Sequence, residues 1–214
     1  MRLILFGAPG GGKGTQAKIL STKLNIPHIS TGDILRQAVK DQSEMGKKAD
    51  EIMNRGDLVP DEIMIGIIKE RLSKPDSQNG FILDGFPRTE IQAVALDKLL
   101  EELNINQIAV VYIYADEEEL IKRLNCRRAC KECGKIFSLE KIDGLDKCPN
   151  CGAENSFYLR DDDKEDVIRN RLKVFNSSTI PVLNYYQERG EVVSVNGIGN
   201  IEDVNDLILA KLES

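Results

Sequence analysis

Nine residues, Gly7-Ala8-Pro9-Gly10-Gly11-Gly12-Lys13-Gly14-Thr15, separate a short apolar run, Leu3-Ile4-Leu5-Phe6, from the helical pattern Gln16-Ala17-Lys18-Ile19-Leu20. Strand, glycine loop and helix in that order form the context of a phosphate-binding loop, or P-loop. Gly10, Gly11, Gly12 and Gly14 let backbone N–H groups turn inward onto a polyphosphate, because no Cβ blocks the approach. The helix N-terminus adds partial positive charge. One helix end contributes about 0.3–1 kcal/mol at an exposed site. That is too little to hold a triphosphate, so Lys13 must supply a full charge and Thr15 a hydroxyl near a magnesium ion. The spacing departs slightly from the generic pattern, since Gly14 follows the lysine and the hydroxyl comes one residue later.

The chain has 214 residues, enough for one sizeable α/β core with an excursion or two. Its 41% hydrophobic and 30% charged residues are those of a soluble globular protein. A formal net charge of −6 argues against a nucleic-acid surface as its main business. No stretch approaches the roughly 20 apolar residues of a membrane span. The first apolar run is too short for a secretion signal, which predicts a cytoplasmic protein with no membrane partner. Five cysteines in such a chain point to metal or free thiols over disulfides.

Periodicity predicts strands at 2–6, 26–29, 81–83, 107–114 and 191–195, with helices at about 13–24, 33–41, 44–55, 61–73, 89–103, 116–127 and 203–212. Ser30 to Asp33 reads as a helix start rich in capping groups. Asp162 and Glu165 have capping-box spacing for a long helix reaching about residue 189. Strands alternating with helices imply a parallel sheet with helices on both faces. Ligands in such folds bind beyond the carboxyl ends of the strands. Residues 129–160 break the rhythm, being rich in Cys, Gly, Asp and Asn, and read as a separate insert.

A second phosphate-handling turn, Asp84-Gly85-Phe86-Pro87-Arg88, follows the strand at 81–83. Asp84 then sits at a strand end, where a Walker-B-type aspartate reaches magnesium. Arg88 offers a rigid fork of donors suited to phosphate. His28 reads as a packing or locally bonded residue without a partner in sight.

In the insert, Cys130-Lys131-Glu132-Cys133 and Cys148-Pro149-Asn150-Cys151 are two CxxC knuckles separated by 14 residues. Four thiolates so spaced indicate a closed tetrahedral structural zinc site, with iron, free thiols or disulfides as rival readings. A module of under about 40 residues with few large apolar side chains needs such a staple. Cys126 stands apart.

Taken together, Gly7–Gln16, Ser30–Arg36, Gly56–Pro60, Phe81–Arg88 with Gln92, Arg123–Arg128 and Asp162–Arg171 resemble the adenylate kinases of the long-lid, zinc-containing type. The resemblance covers nearly the whole chain. It implies a P-loop NTPase-like core sheet of five parallel strands with helices on both faces. This core would comprise 1–29, 60–125 and 164–214. A helical nucleoside-monophosphate (NMP) binding segment would cover 30–59, and a zinc-containing lid 126–163. It implies transfer of the terminal phosphoryl group of MgATP to AMP, giving two ADP, by a monomer. Gly10 to Thr15 and Arg127 would hold the ATP phosphates, with adenine against Ile136, Phe137 and the backbone near Gly199. Thr31, Arg36, the Asp57-Leu58-Val59 backbone, Gly85, Arg88 and Gln92 would hold AMP. Lys13, Asp84, Arg88, Arg123, Arg160 and Arg171 would form the catalytic set, Arg160 and Arg171 also reaching AMP. Phe86-Pro87 would be a cis peptide. Relatives usually have glycine where this chain has Cys126, which we read as a small packing residue at a hinge.

Two rivals remain at the sequence level. One is another NMP kinase, acting on GMP, CMP or UMP or drawing on GTP. The other is a P-loop switch whose zinc ribbon binds nucleic acid, which the acidic residues beside the insert's lysines oppose.

Overall fold

The computed structural model describes residues 1–213. The apolar run at the start forms β1 (Arg2–Phe6), and the glycine loop leads into α1 (Lys13–Leu24). β2 (His28–Ser30) runs directly into α2 (Thr31–Lys40), whose N-cap is Ser30, its hydroxyl accepting from the Asp33 N–H. α3 (Glu44–Asn54) and α4 (Asp61–Leu72) follow, then β3 (Phe81–Asp84) and α5 (Glu90–Glu102). β4 (Ala109–Tyr114) and α6 (Glu117–Asn125) precede the insert. The insert holds β5 (Arg127–Cys130), β6 (Ile136–Ser138), α7 (Leu139–Ile142) and β7 (Phe157–Tyr158). The chain closes with α8 (Glu165–Val174), α9 (Ile180–Gln187), β8 (Val192–Asn196) and α10 (Ile201–Leu212).

Five strands form one parallel sheet in the order β2-β3-β1-β4-β8. Successive side chains of β1 go to opposite faces, as strand geometry requires. Ile4 and Phe6 join a core with Leu83, Leu96 and Tyr186, while Leu3 and Leu5 join another with Ala17, Leu20 and Ile208. Burial on both faces explains why β1, β3 and β4 read as continuous apolar runs. Each such side chain contributes about 1.5–3 kcal/mol by leaving water. The register pairs Leu5 with Asp84 and Ser30 with Asp84. The P-loop, the Asp84 turn and the start of α2 therefore emerge side by side at the carboxyl end of the sheet.

The insert is a separate antiparallel sheet in the order β6-β5-β7. No helix among the described residues is long and apolar enough to cross a membrane.

One expected element differs. The long helix does not begin at Asp162. Residues Asp161–Asp163 form a 3-10 turn, and α8 starts at Glu165 after Lys164, with no side-chain cap. The Asp162 carboxylate is already engaged by Arg160, so the capping-box spacing is fortuitous. The helix is also interrupted by a π-helical turn, Phe175–Thr179.

Candidate active site

The P-loop packs tightly against α6. Gly10 has φ +85, and a Cβ there would lie 2.9 Å from the Leu120 carbonyl oxygen. Gly12 caps α1 without any side-chain acceptor, which leaves the orphan N–H groups of the first turn for an anion. The Lys13 ammonium donates to the carbonyls of Gly7 at 2.7 Å and Ala8 at 3.0 Å. Burial lowers its pKa from near 10.5 to about 8, the Asp84 charge opposing and the Arg88, Arg171 and Arg127 charges adding. Thr15 is exposed on the first turn of α1.

Asp84 is buried at the end of β3, beside the start of α1: a Cβ on Gly14 would lie 3.3 Å from its Oδ2. His28, at the start of β2, reaches that Oδ2 through Nε2 at 3.2 Å, a partner that the sequence does not advertise. The pairing follows from register, since β2 and β3 lie side by side. A carboxylate only accepts, so Nε2–H is the donor. Burial pushes the Asp84 carboxyl up. The His28 hydrogen bond and the charges of Lys13, His28 and Arg88 outweigh it and hold the group below its ordinary range.

The Asp84 turn and α2 form one wall of a cavity. Thr31 donates its hydroxyl to the Gly85 carbonyl at 3.0 Å. Gly85 has φ +83, and a Cβ there would sit 2.8 Å from Thr31 Oγ1, so glycine is required twice over. The Phe86-Pro87 peptide is cis, as the resemblance implied. Arg88 is fixed by its own turn: Nε donates to the Gly85 carbonyl at 2.7 Å, and its main-chain N–H to Gln92 Oε1 at 2.8 Å. Gln92 in turn donates to Asp61 Oδ1 at 2.7 Å. Lys13, Thr31, Arg36, Asp57, Leu58, Val59, Gly85, Arg88, Gln92 and Arg171 all line this cavity. Leu35, Met53 and Met64 supply an apolar wall, Val174 and Phe175 another, with the polar Thr179 beside them. Met53, Met64, Val174 and Phe175 do not stand out in the sequence, because apolar positions at helical spacing look like any core.

The remaining arginines are held by acids. Arg127 pairs with Asp163 through Nε at 2.7 Å and through Nη2. Arg160 grips Asp162 at 2.9 and 2.6 Å. Arg171 donates to the Asp162 carbonyl at 2.7 Å and to Asp163 Oδ1 at 3.2 Å. Burial pushes the Asp162 carboxyl up, yet Arg171, Arg160 and Arg127 together hold it well below the usual carboxylate range. Burial pushes Arg171 down to about 10, with Asp162 opposing. In sequence these aspartates look like a helix start; in the fold they are the counter-charge of the arginine cluster. Arg36 rests on Asp33 at 2.5 Å. Arg123 donates to the Gly197 carbonyl at 2.9 Å and to Glu119 at 2.8 Å.

Three expected adenine contacts are not brought to the cavity. Ile136 is exposed on β6, Phe137 packs edge-on against Phe157 at 5.6 Å, and Gly199 lies exposed in the loop before α10.

In the insert, the sulfurs of Cys130, Cys133, Cys148 and Cys151 lie within 4.8 Å of one another. Cys130 and Cys151 are 3.7 Å apart, Cys133 and Cys148 3.8 Å. A disulfide would need about 2.05 Å. A tetrahedron with metal–sulfur bonds of about 2.3 Å has edges of about 3.8 Å. The four thiols therefore fit a metal ion and are not cross-linked.

Residues 5–191 match the family model described as adenylate kinase. Named relatives extend the match to the whole chain. A protein named adenylate kinase from Archaeoglobus fulgidus is 51% identical over 217 residues, spanning 100% of this chain and 98% of its own. Another from Thermosipho africanus is 50% identical over 208 residues, 95% of each chain. A third from Methanothrix thermoacetophila is 51% identical over 212 residues, 97% of this chain and 96% of its own.

Proposed function

The chain belongs to the adenylate kinase family, and from that premise we propose that it reversibly transfers the terminal phosphoryl group of MgATP to AMP, giving two ADP. One observation carries the reading: Lys13, Arg88 and Arg171 line a single cavity together with Thr31, Val59 and Gln92. The cations suit the phosphates, and the apolar wall of Leu35, Met53 and Met64 suits a flat base.

Phosphoryl transfer needs positioning and charge neutralisation with little covalent help from protein. Gly10 to Thr15 cradle the donor phosphates. Lys13 shifts from its carbonyl partners onto them, and the phosphate charge favours its protonated form. Asp84, a carboxylate kept ionised, and the Thr15 hydroxyl would hold a magnesium ion. When bound, that ion neutralises charge on the donor's terminal phosphates. Arg88 and Arg36 grip the acceptor phosphate, while Arg123, Arg127, Arg160 and Arg171 exchange their present partners for phosphate oxygens. Adenine contacts from Ile136 and Phe137 require the 126–163 segment to swing in as a lid toward the Gly199 loop of the core, and 30–59 serves as the NMP-binding segment. The rest is the core. The four cysteines hold a structural zinc that staples the lid, and elemental analysis separates it from iron, which takes the same tetrahedron. A monomer in the cytoplasm accords with this reading, and reduced thiols suit such a setting.

A coupled assay with MgATP and AMP, GMP, CMP or UMP tests the reading. ADP formation requiring AMP, and its reversal from ADP alone, is the expected result. Preference for another monophosphate means the pocket around Thr31 and Gln92 was misread; no transfer to any acceptor overturns the proposal.

A further inference from the structure

The helix that carries Arg171 contains a π-helical turn, Phe175–Thr179, closed by the Ile180 N–H donating to the Phe175 carbonyl five residues back. Such single turns inside α-helices recur at functional sites. Pro181 gives this one a local cause. It lacks an N–H, and in an unbroken α-helix its ring would crowd the Ser177 carbonyl four residues earlier. One extra residue in the turn rotates the rest of the helix by about 100° relative to an α register. That rotation delivers Thr179, 6% exposed, with its hydroxyl donating to the Arg88 carbonyl at 3.2 Å.

We propose that Thr179 is a positioning residue for Arg88, turned onto the Arg88 main chain by the π-helical turn. The inference rests on the phosphotransfer reading of the cavity. Arg88 is held on one side by contacts local to its own segment, Gly85 and Gln92. Thr179 holds it from the far side, 91 residues along the chain, on the helix that places Arg171 two turns earlier. The hydroxyl thus fixes the separation between the main chain of one phosphate-gripping arginine and the element that bears the other. Phosphoryl transfer depends on such separations, because small misplacement of a charge-stabilising group is costly. Thr179 itself donates to a main-chain carbonyl and does no chemistry.

Thr179→Val keeps the shape and removes the donor; Thr179→Ser keeps the donor and removes a methyl group. The enzyme should be assayed with each monophosphate and triphosphate varied separately, alongside thermal melting. Loss of one hydrogen bond predicts that Thr179→Val lowers kcat roughly three- to tenfold. KM for ATP should be unchanged, and Thr179→Ser should retain most of the rate. A Thr179→Val enzyme with the parent kcat overturns the inference, as does a loss that Thr179→Ser shares in full. If the unaltered protein shows no AMP-dependent transfer, the reading of the cavity fails and this inference with it. Transfer by the parent with an unimpaired Thr179→Val sinks the inference alone.

Discussion

Lys13 must be positively charged where burial disfavours charge. Its pKa of about 8 in the free protein means that the ammonium is present below that value and lost as pH rises through it. Donor capture needs the charged form, so kcat/KM for ATP should fall above about pH 8. That parameter reports groups in the free enzyme, so its alkaline limb reads Lys13 directly. Stability moves the other way. Between about 8 and the ordinary value near 10.5 the unfolded chain binds more protons, so this group makes the free protein more stable as pH rises across that window. Urea unfolding at pH 7.5 and 9.5 checks the sign. Arg88 makes a sharper case. A transition-state arginine is worth about 10³–10⁵ in rate, whereas burial disfavours the Arg88 charge in the folded protein, so removing it forfeits little stability. Arg88→Ala should therefore fold with a melting temperature within a few degrees of the parent and lose at least about 10³ in kcat. Parent-like turnover would remove Arg88 from the catalytic set. At this scale the motif residues were legible because glycine loops and strand-end acids advertise themselves by neighbours in sequence. His28 and the Asp162–Asp163 pair were not, since their partners are made by register and by folding back: 56 residues separate His28 from Asp84, and 36 separate Arg127 from Asp163.

Among the elements, the insert depends most on something other than its own packing. Its sheet has three short strands, and Ile136, Leu139, Leu145 and Leu159 are left exposed. Folding energy must come from the four sulfurs, and zinc bound by such knuckles contributes about 10–16 kcal/mol. Removing the metal with a strong chelator should lower the melting temperature and loosen 126–163 before the core. Hydrogen exchange followed by mass spectrometry reads the order, and equal protection in both segments after verified metal loss would refute the staple. The CxxC spacing made this site readable in advance, because metal ligands are set by side-chain identity at short range. Helix boundaries were less so. The spacing of Asp162 and Glu165 satisfied a local rule, but three arginines compete for the same carboxylates, and the tertiary contact wins. The π-helical turn was equally hidden: Pro181 could be read as an ordinary first-turn proline, and only the packing against Arg88 shows what the extra residue achieves.

For the whole molecule, a chain of net charge −6 brings Lys13, Arg36, Arg88 and Arg171 to one cavity, which suits nucleotide phosphates without making the surface sticky for nucleic acid. The same concentration sets a problem of water. Donor phosphoryl groups held by Lys13 and an arginine cluster are activated toward any nucleophile, and water is always present. In this structure the aspartates answer it: Asp162 and Asp163 occupy Arg127, Arg160 and Arg171. On the proposed mechanism those guanidiniums stay off the donor until phosphates from both nucleotides replace the carboxylates. Transfer to AMP should then exceed hydrolysis of ATP in the absence of AMP by at least about 10²-fold, since misplaced charge stabilisation costs that much. Phosphate release from MgATP alone, compared with ADP formation on adding AMP, measures the ratio. Substituting Asp163 by Asn loosens the restraint on Arg127 and Arg171 without touching the P-loop, and should raise hydrolysis relative to transfer. Hydrolysis comparable with transfer in the parent protein would mean that the arginines converge on one nucleotide alone, and that the aspartates restrain nothing.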